Sequence, residues 1–358
     1  MNRFPVLKVV GVILLVSGLQ SYGQQADAGA HAAPPVENFI VFDVPGSTCE
    51  PSFPICTTPV AINPEGAITG YYADSNAALH SFLRAGNGTF TTFDPPGSTC
   101  PSFFSECSQP TDLNPAGAIT GSYCDAITCH GFLRVPDGNF TTLDPPGSIF
   151  TQAKGINPAG AITGYYIDAS FVEHGFVRAR DGTFTTFDVP DAVNGTNPSR
   201  INPEAAITGW YYDASSFEHG FLRTSNGTFT TFDPPGSVFT QANDINPQGV
   251  ITGYYIDASF VNHGFLRARD GTITTLDFPG SVGTGAAAIN PAGETTGVYQ
   301  EAAAIHGFRW IPDGTFATFD PPGSSYTQAV DINPAGAITG YYYDASFLGH
   351  GFLLPATR

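Results

Sequence analysis

The stretch INPAGAITGYYIDASFVEHGFVRARDGTFTTFDVP, residues 156–190, contains the pattern that decides the fold of this chain. The pattern recurs seven times, and each copy runs from an Asn-Pro turn through a Gly-rich, mostly Tyr-containing segment to a His-Gly-Phe or a close variant. Repeats of about 45 residues are typical of four-stranded propeller blades. The copies begin at Asn63, Asn114, Asn157, Asn202, Asn246, Asn290 and Asn333.

The seventh copy is incomplete at its C-terminal end. It stops at HGFLLPATR after His350, whereas the other copies continue into a turn and a threonine-rich strand. The segment ENFIVFDVPG, residues 37–46, has no His-Gly-Phe before it and matches that missing strand. A closed ring needs its first strand to complete its last unit, whereas a linear solenoid needs caps at its ends. The sequence therefore predicts an all-β fold, a seven-bladed β-propeller of four-stranded blades whose last blade is closed by the N-terminal strand.

Each copy is predicted to contain four strands separated by turns. In the third copy, residue preferences and turn signals predict strands at Thr151–Ile156, Ala161–Ile167, His174–Arg178 and Thr183–Phe187. The tetrapeptide from Asn157 to Gly160 fits a type I turn. Because the N-terminal segment corresponds to the fourth strand, we expect that strand to be the outermost in each blade and the first strand to be the innermost.

Three regions are expected along the chain. Residues 1–23 have the features of a signal peptide, because Arg3 and Lys8 precede an apolar stretch that is too short for a confident membrane span. Residues 24–36 are rich in Ala and Pro and are predicted to form a flexible leader, and residues 37–358 are predicted to form a single propeller domain. We therefore expect a secreted or periplasmic protein.

The charge of the chain is strongly acidic. It carries 13 Lys and Arg residues against 31 Asp and Glu residues, a formal net charge of -18. Nucleic-acid binding and attachment to an anionic membrane both need a basic surface, so the composition argues against these partners. After cleavage of the signal peptide we expect no membrane association, and we expect a monomer.

All six cysteines fall in the first copies, in close pairs. The first two pairs occupy the same repeat position, and an exported protein usually oxidises such pairs to local disulfides. The short Cys-x-x-Cys spacing of a zinc site is missing from these two pairs, so no metal site is predicted. The expected disulfides are Cys49 with Cys56, Cys100 with Cys107, and Cys124 with Cys129.

Histidine is the most suggestive chemical feature, because seven of the eight histidines occupy one repeat position. Most have an acidic residue a few positions upstream, which would allow His/Asp dyads to act as bases or metal ligands. Seven equivalent sites instead favour a structural role, in which each imidazole forms a local hydrogen bond within its blade. The residues are His80, His130, His174, His219, His263, His306 and His350.

The leading functional hypothesis is a noncatalytic binding or interaction scaffold. The Asn-Pro-x-Gly and Asp-Gly turns are expected on one face, and the longer, more variable connections on the other, where function on rigid scaffolds tends to lie. Aromatic side chains on the variable face would contact an extracellular glycan or protein. The candidates are Phe150, Phe171, Phe217, Phe239, Phe260, Tyr326 and Phe347.

Two alternatives remain open. A polysaccharide lyase or hydrolase with one pocket at the channel mouth would need residues that break the sevenfold pattern, and Arg200, Glu294, Glu301 and Arg309 do so. A structural envelope or matrix component would need no pocket, and its acidic channel would hold a structural cation. No other cofactor is expected, since motifs for phosphate, zinc or calcium binding are missing from the sequence.

The recurrent His-Gly-Phe-x-x-x-x-Asp-Gly-x-x-x-x-x-Asp-x-Pro-Gly, followed by Ile-Asn-x-x-Gly-x-Ile-x-Gly, resembles the bacterial extracellular HAF repeat family. The resemblance covers residues 38–354, with departures at Ser81, Asp191 and Ala205. It implies an exported, propeller-like repeat protein and suggests no particular activity.

Overall fold

The computed structural model describes residues 38–49, 56–99, 108–302 and 304–356. Residues 36–358 form one compact unit. The predicted signal peptide and leader, and the predicted Cys100–Cys107 disulfide, lie outside the described residues. The other two predicted disulfides, Cys49–Cys56 and Cys124–Cys129, are present.

The described residues form 28 strands and no helix. In chain order the strands are β1 (Ile40–Phe42), β2 (Thr57–Ile62), β3 (Ile68–Ala73), β4 (Leu79–Arg84), β5 (Phe90–Phe93), β6 (Ser108–Leu113), β7 (Ile119–Cys124), β8 (Cys129–Arg134), β9 (Phe140–Leu143), β10 (Ser148–Ile156), β11 (Ile162–Asp168), β12 (Glu173–Arg178), β13 (Phe184–Phe187), β14 (Gly195–Ile201), β15 (Ile207–Tyr212), β16 (Glu218–Arg223), β17 (Phe229–Phe232), β18 (Ser237–Ile245), β19 (Ile251–Asp257), β20 (Asn262–Arg267), β21 (Ile273–Leu276), β22 (Gly283–Ile289), β23 (Thr295–Glu301), β24 (Ala304–Trp310), β25 (Phe316–Phe319), β26 (Tyr326–Ile332), β27 (Ile338–Tyr343) and β28 (Gly349–Leu354).

These strands form antiparallel sheets that follow the sequence repeat. Five sheets contain four strands each, in the orders β2-β3-β4-β5, β6-β7-β8-β9, β10-β11-β12-β13, β14-β15-β16-β17 and β18-β19-β20-β21. The sixth sheet has eight strands and contains two groups of four. The strands β22, β23, β24 and β25 form one group, and β26, β27, β28 and β1 form the other. A single parallel bridge between Ile305 and Tyr326 joins the two groups. The four predicted strands of the third copy correspond to β10 to β13, and their bounds differ by at most three residues.

The N-terminal strand pairs with the last strand, as the split repeat predicts. Ile40 lies opposite Leu353, and Phe42 lies opposite Gly351. The pair of Phe42 and Gly351 is equivalent to the pair of Phe187 and Gly175 in the third copy, so the register is the same. The strand β1 thus occupies the place of a fourth strand. Fourth strands are half-buried or exposed over most of their length, as expected for the outer edge of a sheet.

The Asn-Pro turns connect neighbouring repeats through their side chains. In the third copy, Asn157 Oδ1 accepts a hydrogen bond from the Ala161 amide at 2.9 Å, which stabilises the turn. The Nδ2 group of Asn157 donates to the main-chain carbonyl of Asn202, the equivalent residue of the next copy, at 3.2 Å. Equivalent bonds run from Asn114 to Asn157, Asn202 to Asn246, Asn246 to Asn290, Asn290 to Asn333 and Asn333 to Asn63.

The core consists of layers between adjacent sheets. Each copy contributes a fully buried Phe from its third strand, and most copies contribute a fully buried Ile from the second strand. Burying one Phe or Ile side chain stabilises the fold by about 1.5–3 kcal/mol. The Phe residues are Phe82, Phe132, Phe176, Phe221, Phe265, Phe308 and Phe352.

Gly164 is required by the close approach of the first and second strands. A Cβ atom there would lie 2.1 Å from the main-chain oxygen of Gln152. We predict that Gly164→Ala lowers the free energy of unfolding by at least about 2–3 kcal/mol, measured by denaturant unfolding, because the obstructing atom belongs to the backbone. Gly285 is the matched control, since a Cβ there would meet only the Val298 side chain at 3.9 Å. An equal loss for Gly285→Ala would contradict this explanation.

Candidate functional site

Each of the seven repeat histidines forms a hydrogen bond with a carboxylate at the end of a fourth strand. In the third copy, Nδ1 of His174 lies 3.0 Å from Asp188, and the imidazole packs against the Tyr166 ring with the ring centroids 5.1 Å apart. The other pairs are His80–Asp94 (2.6 Å), His130–Asp144 (2.7 Å), His219–Asp233 (2.8 Å), His263–Asp277 (2.8 Å), His306–Asp320 (2.7 Å) and His350–Asp43 (2.8 Å).

The upstream aspartates that the sequence singled out are the second, weaker partners. Six of them face the Nε2 atom of their histidine at 3.3–3.8 Å, as Asp168 faces His174 at 3.6 Å. Several fourth-strand aspartates also accept a hydroxyl hydrogen bond from the next copy, for example from Thr240 to Asp233 at 2.7 Å. The His/Asp pairs thus fasten strands and neighbouring copies together, in agreement with the structural role expected for them.

Nearby carboxylates favour the protonated imidazole of His130, His219 and His306 by raising its pKa. For His219, burial alone lowers the pKa, but the hydrogen bond and charge of Asp233 and the charge of Asp213 outweigh it and raise the pKa. The pKa of His130 is raised in the same way by Asp144 and Asp125. The hydrogen bond to Asp320 is the main cause of the raised pKa of His306.

These shifts predict a pH dependence of stability. A histidine whose pKa is higher in the folded than in the unfolded protein stabilises the fold when it is protonated. This stabilisation is fully present below the unfolded-state pKa of about 6.5, and it is lost as the pH rises through the folded-state pKa. We expect the melting temperature to fall across neutral to mildly alkaline pH, and the fall to be smaller in a variant carrying His130→Gln, His219→Gln and His306→Gln. Thermal melts from pH 5.5 to 8.5 on both proteins would measure this. An unchanged slope in the variant would show that the histidines do not cause it.

A charged cluster marks the place where the first strands converge. Arg200 on β14 donates from Nη1 to the carbonyls of Thr111 at 3.2 Å and Lys154 at 3.0 Å. Its guanidinium lies 3.8 Å from Asp112 and 3.9 Å from Asp244. One side chain of the fourth copy therefore reaches the second, third and fifth copies, which agrees with first strands being innermost.

The aspartates of this cluster are held by backbone amides. Asp331 of the seventh copy accepts a hydrogen bond from the Ile62 amide of the first copy at 2.8 Å. Burial raises the pKa of Asp331 to about 7, although the nearby Arg200 opposes the shift. Burial likewise raises the pKa of Asp244. The first strands thus carry the charged residues Asp112, Arg200, Asp244 and Asp331 at this position.

Arg200 supplies positive charge to a cluster that three carboxylates make acidic. We predict that Arg200→Met lowers the free energy of unfolding by about 2–4 kcal/mol at pH 8, because removing one member of a buried ion pair leaves the others uncompensated. The loss should shrink at pH 5, where Asp331 is protonated. Denaturant unfolding at the two pH values measures both effects. The exposed Arg180 is the control, and an Arg180→Met loss of the same size would contradict this account.

The four residues proposed for an enzyme do not form one site. Arg309 forms an ion pair at 2.7 Å with Glu294, beside the Asn-Pro turns. Glu301 ends β23 at the opposite end of that strand and takes the place of the upstream aspartate near His306. Arg200 lies in the central cluster.

The proposed ligand-binding aromatics divide into two groups. Phe171, Phe217, Phe260 and Phe347 are exposed in the turns between second and third strands. Phe150, Phe239 and Tyr326 are half-buried at the starts of first strands. Contacts between these rings and other aromatics include Phe217 with Phe239 at 5.6 Å and Phe150 with Tyr165 at 6.0 Å.

Three of the exposed rings lie on backbone that normally requires glycine. Phe171 has φ of 64°, Phe260 of 62° and Phe347 of 60°. The amide of Phe171 donates to the carbonyl of Asp168, as the amide of Gly160 donates to Asn157 in the Asn-Pro turn. The same turn therefore uses Gly at one end of the sheet and Phe at the other, although a positive φ is strained for a bulky residue.

Two half-buried glutamates form a group that sequence reasoning missed. Glu173 and Glu218 directly precede the histidines of the third and fourth copies, where most other copies have uncharged residues. Burial is the main cause of the raised pKa of each carboxyl. Aligning the seven copies at the residue before each histidine would have found them, because only these two copies carry an acid there.

A shallow cavity beside His263 and Asp277 has a volume of about 50 Å³, far below the size of typical small-molecule pockets. Among the described side chains, no three His, Cys, Asp or Glu residues are grouped as metal ligands. Within the same residues, no helix has the length and apolar character to span a membrane.

Comparisons with known proteins identify the fold. No protein-family model matches the sequence, and no curated protein sequence does. The structure is similar to the β-propeller domain of the Trilobed protease from Pyrococcus furiosus, with a TM-score of 0.61 at 10% identity over 85% of this chain and 96% of that one. It is also similar to virginiamycin B lyase from Staphylococcus aureus (TM-score 0.57, 14% identity, 89% and 100% covered) and to a streptogramin B lyase (TM-score 0.56, 16% identity, 88% and 97% covered). The chain is a β-propeller.

Proposed function

We propose that this protein is an exported, noncatalytic propeller scaffold that binds an extracellular glycan or protein through the exposed Phe turns. The observation that carries the proposal is the combination of exposure and positive φ at Phe171, Phe260 and Phe347. A left-handed conformation costs a residue with a Cβ atom about 1–2 kcal/mol. These three Phe rings are kept in a conformation that costs free energy, and they are exposed outside the core. Contact with a partner best explains both properties.

The same proposal includes a seven-bladed ring closed by the N-terminal strand. The pairing of β1 with β28 supports closure. Contacts between the first and seventh copies support it as well, since Asn333 Nδ2 donates to the Asn63 carbonyl at 3.2 Å and the Ile62 amide donates to Asp331. A closed ring would hold the Phe turns at fixed spacing on one face.

The proposed export rests on two independent features. The disulfides Cys49–Cys56 and Cys124–Cys129 are of the kind that persists in oxidising compartments. The N-terminal residues 1–23 have the order of charged, apolar and small residues found in signal peptides. Together they support a secreted or periplasmic location.

The proposal predicts opposite effects on stability and binding. Replacing Phe171, Phe260 and Phe347 together by Gly should raise stability or leave it unchanged, because Gly adopts positive φ without steric cost. The same variant should lose binding on a glycan array or to extracellular proteins of the producing cell. Thermal melts and the binding screen, run on the same preparations, test the two effects.

Phe217 provides the matched control. It is exposed too, but the positive φ of its turn lies at Ser216, and its ring packs against Phe239. Phe217→Gly should therefore lower the melting temperature. A destabilised triple variant would contradict the proposal, as would one that retains all binding of the parent protein.

A further inference from the structure

The half-buried glutamates lie beside an unusual face of the β14–β17 sheet. Cross-strand pairing puts Asn197 beside Trp210 and Tyr212 beside Glu218 on that face. Glu173 of the preceding copy reaches the same place, with Oε2 at 3.4 Å from Nδ2 of Asn197. We call these five residues the glutamate site.

Two differences from the third and fifth copies create space and polarity here. Gly195 stands where those copies have Phe150 and Phe239. A Cβ atom at Gly195 would lie 2.8 Å from Cβ of Glu173, so glycine permits that side chain to occupy the place. Tyr212 replaces the isoleucine of the third and fifth copies and brings a hydroxyl group to the face.

Asn197 carries a buried acceptor without a partner. The residue is only 2% exposed, and its Oδ1 atom accepts no hydrogen bond from any described residue. The amide group of the same side chain points at Glu173, so the free oxygen lies within the glutamate site. A buried polar atom left unpaired is costly, and a ligand that donates to it recovers that cost.

The charges around this acceptor are unbalanced. Glu218 is anchored by Gln241, whose Nε2 donates at 2.5 Å, and by the Tyr212 hydroxyl. Glu173 accepts the long bond from Asn197 and is attracted by the charge of Lys154, which lies 5.8 Å above the Tyr165 ring. The contacts described for this site thus bring together two carboxylates and one lysine. The raised pKa of Glu173, caused by burial and by the charge of Glu218, is consistent with that excess.

We propose that the glutamate site binds a primary ammonium group carried by a small organic molecule. The ammonium has three N–H donors, as a lysine side chain has, and would donate to a Glu173 carboxylate oxygen and to Oδ1 of Asn197. Glu218 adds attraction for a positive charge. The rings of Trp210 and Tyr212 offer aromatic contact to a cation or to its carbon skeleton. This site is separate from the exposed Phe turns. The proposal for amine binding is therefore independent of the proposed partner binding by those turns.

Trp210 provides a direct readout of binding. The chain contains two tryptophans, Trp210 and Trp310, so in a Trp310→Phe background the indole emission reports on the glutamate site alone. Glucosamine and 1,4-diaminobutane should each cause a saturable change in emission at pH 7.5. Glucose, which has the same ring without the amine, should cause none.

Variants of the charged residues test the assignment further. Glu173→Gln should weaken glucosamine binding by about 10-fold or more, the usual effect of losing a charged hydrogen bond. Lys154→Met should strengthen binding, because it removes the competing internal cation. Glu204→Gln, an exposed acid of the same copy as Glu218, should have no effect.

Three results would overturn the proposal. These are no saturable response to either amine, an equal response to glucose and glucosamine, and unchanged amine affinity in a folded Glu173→Gln protein. If the Glu173→Gln protein does not fold, the Lys154→Met variant still tests the proposal. Unchanged or weaker amine binding by Lys154→Met would contradict the claim that Lys154 competes with the ligand for the carboxylates.

Discussion

The asparagine of the Asn-Pro turn joins one repeat to the next in six of the seven copies, and the rest of the structure depends on this contact. Its side chain does two tasks at once, because Oδ1 accepts from the amide four residues later while Nδ2 donates to the carbonyl of the next asparagine. The carbonyl that receives Nδ2 also receives the amide of the residue three positions later in its own turn, which is Ala205 in the fourth copy and a glycine in the others. Aspartate lacks the donor, and glutamine places its amide one methylene farther away. The contact thus accounts for an asparagine at this position in all seven copies.

Much of the architecture follows from local patterns that the sequence displays openly. The turn residues and strand preferences predict β10 to β13 to within a few residues, because each hairpin is decided by a few neighbouring amino acids. The pairing of β1 with β28 is predictable as well, since the incomplete seventh copy and the N-terminal segment match. In both cases the information lies in one copy or in a comparison of copies.

The contacts that sequence reasoning missed join residues far apart in the chain. The main partner of His174 is Asp188, fourteen residues later, and not the nearer Asp168. This choice depends on the cross-strand register of the third and fourth strands, which composition does not reveal. The convergence of Arg200 with Asp112 and Asp244 depends on how whole copies are arranged about a centre. The space beside Glu173 depends on a missing ring in the next copy, at Gly195.

Regularity and irregularity have different roles in this molecule. The His/Asp pairs and the buried Phe residues recur in all seven copies, the asparagine contacts recur in six, and together they hold the sheets together. Arg200 occurs in one copy and the two glutamates in two neighbouring copies, while the glycine at the position of Gly195 recurs in the sixth copy as Gly283. Chemistry that needs one defined geometry is better served by such exceptions, because a set of equal sites has no single place where different groups meet.

The pairing of β1 with β28 also has a mechanical consequence. The strands are antiparallel, and Ile40 near one end of the chain lies opposite Leu353 near the other. A force that pulls the two ends apart would therefore load the outermost hydrogen bonds first and peel the three-residue strand away one pair at a time. Such unzipping resists force much less than the simultaneous shearing of a whole strand. The place that joins the ends of the chain would be where the molecule yields first under tension.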